Sequence, residues 1–353
     1  MPVKSFQPIN PGADVTTTRT YLHEVVPVTG SIVSGTYSDN NIKNYTHGMF
    51  QSVYDYPYLS SSANHIFDLT MGIAGTSAIS GAANIQGSKK INIYNQFAQT
   101  LLGFTGSVND IRAFESDLVL DQTGSMKEVF FVNFSRLLTK DEVKKNTFSI
   151  TIVTGAYSTP FHNGAGHSAA SLTLQDANAR INGDGVNNAD GGDYGVLFSN
   201  SAGTGDGLGV VFYQAGIAVI TASAFQGITD FAKHPTYGNQ TTTQAFTGSS
   251  MTGSIEAFRR RVQNISLNNT TEINSTILFC RAPSNKFNYS SNPTYVTGSK
   301  IRVKNVASDN PVAYVTTVGL YNSSNELLAV AKLSEPLKKS VDNELTIRVR
   351  LDF

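Results

Sequence analysis

The feature that most limits what this chain can fold into is a period of two, and it is sharpest at the C-terminal end. In "ELTIRVRLDF", Leu345, Ile347, Val349, Leu351 and Phe353 fall on one side of an extended backbone, and Glu344, Thr346, Arg348, Arg350 and Asp352 on the other. A slip of one residue would turn the whole apolar set outward, so burial of one face fixes the register. Just upstream, "VAYVTTVGLYNSSNELLAVAKLSEPLKK" predicts a hairpin. Its strands run over Ala313 to Tyr321 and Glu326 to Leu333, joined by Asn322-Ser323-Ser324-Asn325, whose side chains bond their own backbone in turns. Pro336 is expected to end the second strand, because it removes a ladder donor. Hairpin and last strand together are expected to build a sandwich-like core.

The same period recurs in "EVFFVNF" (Glu128 to Phe134), "FSITIV" (Phe148 to Val153), "YGVLFS" (Tyr194 to Ser199) and "GVVFYQAGIAVITAS" (Gly209 to Ser223), the last with a turn at Gln214-Ala215-Gly216. "NSTILFCRA" predicts a further strand. Three stretches have helical spacing instead. "KINIYNQFAQTLLG" predicts a helix that Gly103 ends. "TKDEVKK" has capping-box spacing between Thr139 and Glu142. "SIEAFRRRVQ" has Ser254 as N-cap and Ile255, Phe258 and Val262 on one face, with Arg259, Arg260 and Arg261 fanned over its polar side. The fold class expected is therefore mainly β with a few short helices, a β-rich α+β protein of antiparallel, sandwich-like units.

At 353 residues the chain exceeds one ordinary domain. Pro2, Pro8 and Pro11 precede a Thr- and Val-rich stretch, so residues 1–20 read as an extended arm able to add to a neighbour's sheet edge or to fray. An N-terminal α+β domain is expected over 21–155, and a β-rich region over 156–353 with a short helix near 254–263 and the terminal hairpin and strand.

Composition narrows the class of function. Basic and acidic side chains cancel at 26 each, so no net field draws the chain to nucleic acid or an anionic membrane. Charged residues are only 15% of the chain, a depletion that suits permanent contact with neighbours. The single cysteine, Cys280, sits in an apolar run and reads as a buried thiol outside any disulfide. The beginning of the chain has no apolar signal region and nothing approaches a membrane-spanning length, so a protein neither exported nor membrane-bound is expected.

No assembled catalytic set emerges. "GHSAA" half matches a nucleophile elbow at Ser168, but the residues before it have loop composition where a buried strand is required. His162 and His167 are five apart in the same Gly-rich loop, a spacing that suits no zinc pattern. Asn182, Asp184, Asn188, Asp190 and Asp193 offer hard oxygens of the kind calcium takes. Aligned as a calcium loop, however, they put Arg180 where an acid is needed and leave no Glu at the closing position. The competing reading is a Gly/Asn/Asp surface loop. "YDYPY" (Tyr54 to Tyr58) is either an aromatic platform for sugar or a run packing alternate rings. Arg259, Arg260 and Arg261 are interface candidates for a partner's carboxylates, against a solvated face. No cofactor motif is found.

The C-terminal stretch from "FCRAPSNKFNYSSNPTYVTG" through the hairpin to "ELTIRVRLDF" resembles the ends of virion structural proteins of large contractile-tailed bacteriophages, especially those of marine and cyanobacterial hosts. "GVVFYQAGIAVITAS" is similar to a segment in the middle of the same proteins. The resemblance covers roughly the last half of the chain closely and the first half loosely, and carries no catalytic motif. It implies a non-enzymatic tail or baseplate component in the phage particle, assembled in the bacterial cytoplasm with itself and with other virion proteins. Membrane and specific nucleic acid are not among the implied partners. A glycan-binding host-recognition module is the alternative, and a tail-borne hydrolase using Ser168 or a carboxylate pair a third.

Overall fold

The computed structural model describes residues 6–24, 39–81, 85–106, 110–155, 170–179, 185–228, 230–234, 238–289, 296–297, 300–301 and 312–352. The chain divides into two units, residues 22–271 and residues 1–21 with 272–353. The expected boundary at 155 falls inside the first of these. Strand Ser149–Val153 lies between Val262–Ser266 and Ser171–Gln175, so partners from both sides of that boundary share one sheet.

In the 22–271 unit an eight-stranded antiparallel sheet runs in the order Ile42–Asn44, Gln51–Tyr54, His65–Ile73, Glu128–Phe134, Ile217–Thr221, Gly209–Phe212, Gly192–Leu197, Val186–Ala189. "EVFFVNF" is central in it. Val129, Phe130, Phe131 and Val132 are all fully buried, because both faces of the sheet are covered and a strand buried on two sides needs apolar residues in succession. On one face Phe131 stacks on Phe97 of helix Ile85–Leu101 at 4.2 Å between ring centroids. On the other, Phe130 stacks at 4.4 Å on Phe258 of helix Met251–Arg261, with Phe225, Phe231 and Phe246 around it. The turn at Gln214-Ala215-Gly216 forms as expected, with Phe212 opposite Ile217 and Gly216 at φ +66°.

Helix Ile85–Leu101 starts earlier than its sequence pattern suggests, but stops where expected. Gly103 has φ +74°, and its N–H donates to the Ala98 carbonyl at 3.2 Å. The carboxylate of Asp190 also packs so closely there that a Cβ would lie 1.9 Å from it. Helix Met251–Arg261 is capped by Ser250 rather than Ser254, whose buried hydroxyl donates instead to the Ala245 carbonyl at 2.6 Å. No helix forms over "TKDEVKK". The helical turn is Arg136–Thr139, Lys140 leaves it at φ +55°, and Glu142–Val143 pairs with Asn269 and Thr270 as strand. Burying Val143 in that ladder outweighs a capping match worth about 1 kcal/mol.

In the other unit, Val15–Glu24, Asn269–Ala282 and Leu345–Asp352 lie side by side, Asn269–Ala282 in the middle. Leu345, Ile347, Val349 and Leu351 are turned inward and their alternates exposed, as the period dictates. The N-terminal segment is not a free arm. Pro11–Asp14 makes one helical turn, Arg281 donates to Asp14 at 2.6 Å, Lys286 to Gln7 at 2.9 Å, and the following strand joins this chain's own sheet. Its unpaired backbone found an edge at home, which local sequence does not reveal. Cys280 is half-buried and free, its thiol pKa raised by desolvation. The fold is thus β-rich with short helices and antiparallel sheets. No helix among the described residues is long and apolar enough to cross a membrane.

Candidate functional site

Among the described residues the hairpin pairs only with itself, and the last strand belongs to a different sheet. Strands Val312–Tyr321 and Leu327–Ser340 make a two-stranded ribbon whose tip is set by one side chain. Asn322 Oδ1 accepts from the N–H of Ser324 at 2.9 Å and of Glu326 at 2.8 Å, while Asn325 takes φ +62°. Pro336 does not end the strand. Val315 pairs with Leu337 and Thr317 with Lys332, so Pro336 sits in a bulge where no ladder donor is missed.

At the ribbon's base, buried Lys339 donates to Asn288 Oδ1 at 2.7 Å, the Ser340 carbonyl at 2.8 Å and the Ser284 carbonyl at 3.3 Å. Beyond it the ribbon is apolar and open. Leu328 is 69% exposed, Val330 51% and Leu327 52%, with Tyr314, Tyr321 and Leu337 also exposed. Phe6 meets Tyr321 edge-on at 5.2 Å. A lone two-stranded ribbon is marginal in water, and large apolar side chains left exposed along it are candidates for burial against a partner. Half-exposed side chains of this size each leave on the order of 1 kcal/mol of burial unrealised. The first strand carries no charge or proline to guard its edge.

The arginine run lies inside the chain rather than on a solvated face. Arg259, Arg260 and Arg261 are all buried. Arg260 grips Glu256 through Nε at 2.9 Å and Nη2 at 2.5 Å, and Arg259 reaches Asp39 at 3.2 Å. Arg261 is fully buried and donates to four main-chain carbonyls: Phe231 at 3.0 Å, Val153 at 2.8 Å, Gly155 at 3.0 Å and Asp230 at 2.7 Å.

Of the candidate calcium oxygens, those of Asn188 and Asp193 are taken up within the protein. Val186–Ala189 and Gly192–Leu197 form a tight hairpin with Asn188 opposite Asp193. Asn188 donates to Asp193 at 2.8 Å, and buried Lys145 meets the other oxygen of Asp193 at 2.7 Å. Asp190 packs on Gly103. Among the described residues no three His, Cys, Asp or Glu are grouped to hold a metal. Asn182, Asp184, His162, His167 and Ser168 lie outside the described residues.

In "YDYPY", Tyr54 is half-buried beside the His65 ring, whereas Tyr56 and Tyr58 are exposed. The loop is pinned rather than loose. Asn64 donates to both oxygens of Asp55, at 2.6 and 2.8 Å, and buried Asn41 donates to the carbonyls of Tyr54 and Asp55 at 3.2 and 3.0 Å.

Sequence reasoning missed the most polar interior cluster. Buried Asp176 accepts from the N–H of Asn146 at 2.8 Å, the N–H of Phe148 at 3.0 Å and the Tyr213 hydroxyl at 3.0 Å. Desolvation pushes its pKa up to about 6, with these hydrogen bonds pulling the other way. Burial and the neighbouring Asp176 hold Tyr213 well above its ordinary value. Lys90 is likewise interior, donating to the carbonyls of Phe246 and Gly248 at 2.5 and 2.9 Å, and burial lowers its pKa to about 8. These groups are far apart in the sequence and match no motif. Their bonds tie segments together, which is a structural role. No family model, no curated protein and no solved structure matches this chain.

Proposed function

We propose that this chain is a non-enzymatic structural protein of a contractile-tailed phage particle, a tail or baseplate component that joins its neighbours through the Val312–Ser340 ribbon. The observation that carries the reading is the ribbon itself: exposed apolar side chains on a two-stranded element whose first strand is unguarded, anchored at its base and joined by no third strand among the described residues. The resemblance to virion proteins runs through the same residues, and the charge-poor composition fits a surface that stays covered. Replacing Leu328 and Val330 together by Glu is expected to leave the melting temperature within about 2 °C, since surface changes cost little. Incorporation into particles is expected to fall at least tenfold. Quantitative mass spectrometry of purified phage gives the copy number, and wild-type incorporation of the double variant would remove the ribbon from the proposal. Absence of the unaltered protein from particles would remove the virion role altogether.

A second reading, host recognition through glycan, is favoured by one observation: Tyr56 and Tyr58 are exposed on a loop that Asp55, Asn64 and Asn41 hold in shape. Rigid, half-apolar tyrosines at low entropic cost are the side chains a recognition loop uses. Tyr56→Ala is then expected to weaken binding of an array-identified host glycan about tenfold, one ring contact being worth about 1 kcal/mol or more. Unchanged binding would clear the loop of that role.

A further inference from the structure

Within the 22–271 unit a cleft of about 900 Å³ opens between the start of strand Glu128–Phe134, the turn before strand Gly209–Phe212, the turn Ala222–Phe225 and the first turn of helix Thr242–Thr247. We propose that it is a binding site for a neutral oligosaccharide. The site is separate from the Tyr56 loop and does not depend on the ribbon.

Its walls are fixed. Thr242 donates to the Phe225 carbonyl at 3.3 Å, Thr241 and Gln244 close a reciprocal cap, and Ser77 donates to Glu128. At Gly207 the chain passes so near its neighbour that a Cβ would lie 2.0 Å from the Ser116 carbonyl oxygen. Such a frame places its polar groups before a ligand arrives, which lowers the ordering cost of binding.

Three of those groups have hydrogen-bonding capacity that the chain leaves unused. Among the described residues the side chains of Asp206, Gln226 and Thr243 are exposed at the cleft and bonded to nothing in the chain. Beside them Glu128 adds a second carboxylate, and half-buried Ile79 and Leu208 an apolar wall. The size suits a small-molecule ligand, for which clefts run about 300–1,000 Å³.

The chemistry of the lining selects the ligand class. Two carboxylates against Lys127 alone disfavour phosphates and acidic sugars. A divalent ion needs a closer set of oxygens than the described residues supply. A wholly apolar ligand would bury Asp206, Gln226 and Thr243 without partners. A sugar meets all three demands: its hydroxyls donate to carboxylates, accept from an amide, exchange bonds with a threonine, and its C–H faces lie on aliphatic side chains.

The test is a printed array of neutral and acidic bacterial-surface oligosaccharides probed with the full chain, followed by calorimetric titration of any neutral trisaccharide that binds. Asp206→Asn, which keeps shape and removes charge, is expected to weaken binding about tenfold, the cost of one charged hydrogen bond. Thr243→Trp is expected to obstruct the cleft and weaken binding at least tenfold with the circular dichroism spectrum retained, and Tyr56→Ala to leave this binding unchanged. Failure of every neutral oligosaccharide to bind overturns the proposal, as does preference for acidic glycans or binding that survives both cleft variants. Loss only on Tyr56→Ala assigns the sugar to the loop and overturns the cleft site.

Discussion

Arg261→Ala is expected to lower the melting temperature by about 8–20 °C, at about 4–5 kcal/mol of lost stability and about 2–4 °C per kcal/mol for a unit of this size. The reason lies in what stays behind. Four carbonyls lose their donor at once, those of Phe231 and Val153 buried and those of Gly155 and Asp230 partly buried, and each buried orphaned acceptor costs about 1–3 kcal/mol. The guanidinium also sits 5.4 Å over the Phe231 ring, and its attraction to the ring face disappears with the side chain. Arg261→Lys keeps the charge but offers three donors on one nitrogen in place of a planar fork. It is expected to recover less than half of the loss. Thermal unfolding followed by circular dichroism decides the matter: a fall under about 2 °C for the alanine variant would mean water replaces the side chain freely, and full rescue by lysine would mean the fork is irrelevant.

Asp176→Ala is expected to cost about 3–5 kcal/mol, because it strands the N–H groups of Asn146 and Phe148 and the Tyr213 hydroxyl in the interior. The wild-type side chain also makes stability depend on pH in an unusual direction. Its folded-state pKa, about 6, lies above the ordinary 3.8, so the folded protein holds this proton more tightly than the unfolded chain. The contribution is fully present below pH 3.8 and is lost as pH rises through about 6. A shift of this size amounts to about 3 kcal/mol. Asp176→Asn cannot titrate, so its unfolding free energy by urea titration is expected to lack the decline between pH 4 and 6 that the wild type shows. Parallel profiles for the two proteins would show that the carboxylate titrates at its ordinary value.

Much of the fold is legible in the sequence because local periods report burial directly. The last strand lies with Leu345, Ile347, Val349 and Leu351 inward. Gly103 ends its helix, and Gln214-Ala215-Gly216 turns its hairpin. Where a local signal was weak it lost to pairing: "TKDEVKK" offered one capping match, and the ladder took Glu142 and Val143. Polar residues misled more than apolar ones. A run of three arginines looks the same on a solvated face as in an interior that supplies carbonyls and carboxylates for every one of them. The oxygens of Asn188 and Asp193 suggested a cation; the cation that met Asp193 was Lys145, 48 residues away. The cleft lined by Asp206, Gln226 and Thr243 has no local signature at all, since its walls come from six separate segments.

What the sequence determined by itself is the β-rich class, the register of its alternating strands and the hairpin with its Asn322 turn, because each depends on neighbours within a few residues along the chain or on which side of a strand is apolar. Only the tertiary structure decided which strands pair, that the N-terminal segment joins its own sheet, that the arginines are interior and that the hairpin's apolar faces stay open. Those outcomes depend on which distant groups arrive to satisfy a backbone edge, a charge or an apolar surface, and alternation says that a face wants burial without saying what will bury it.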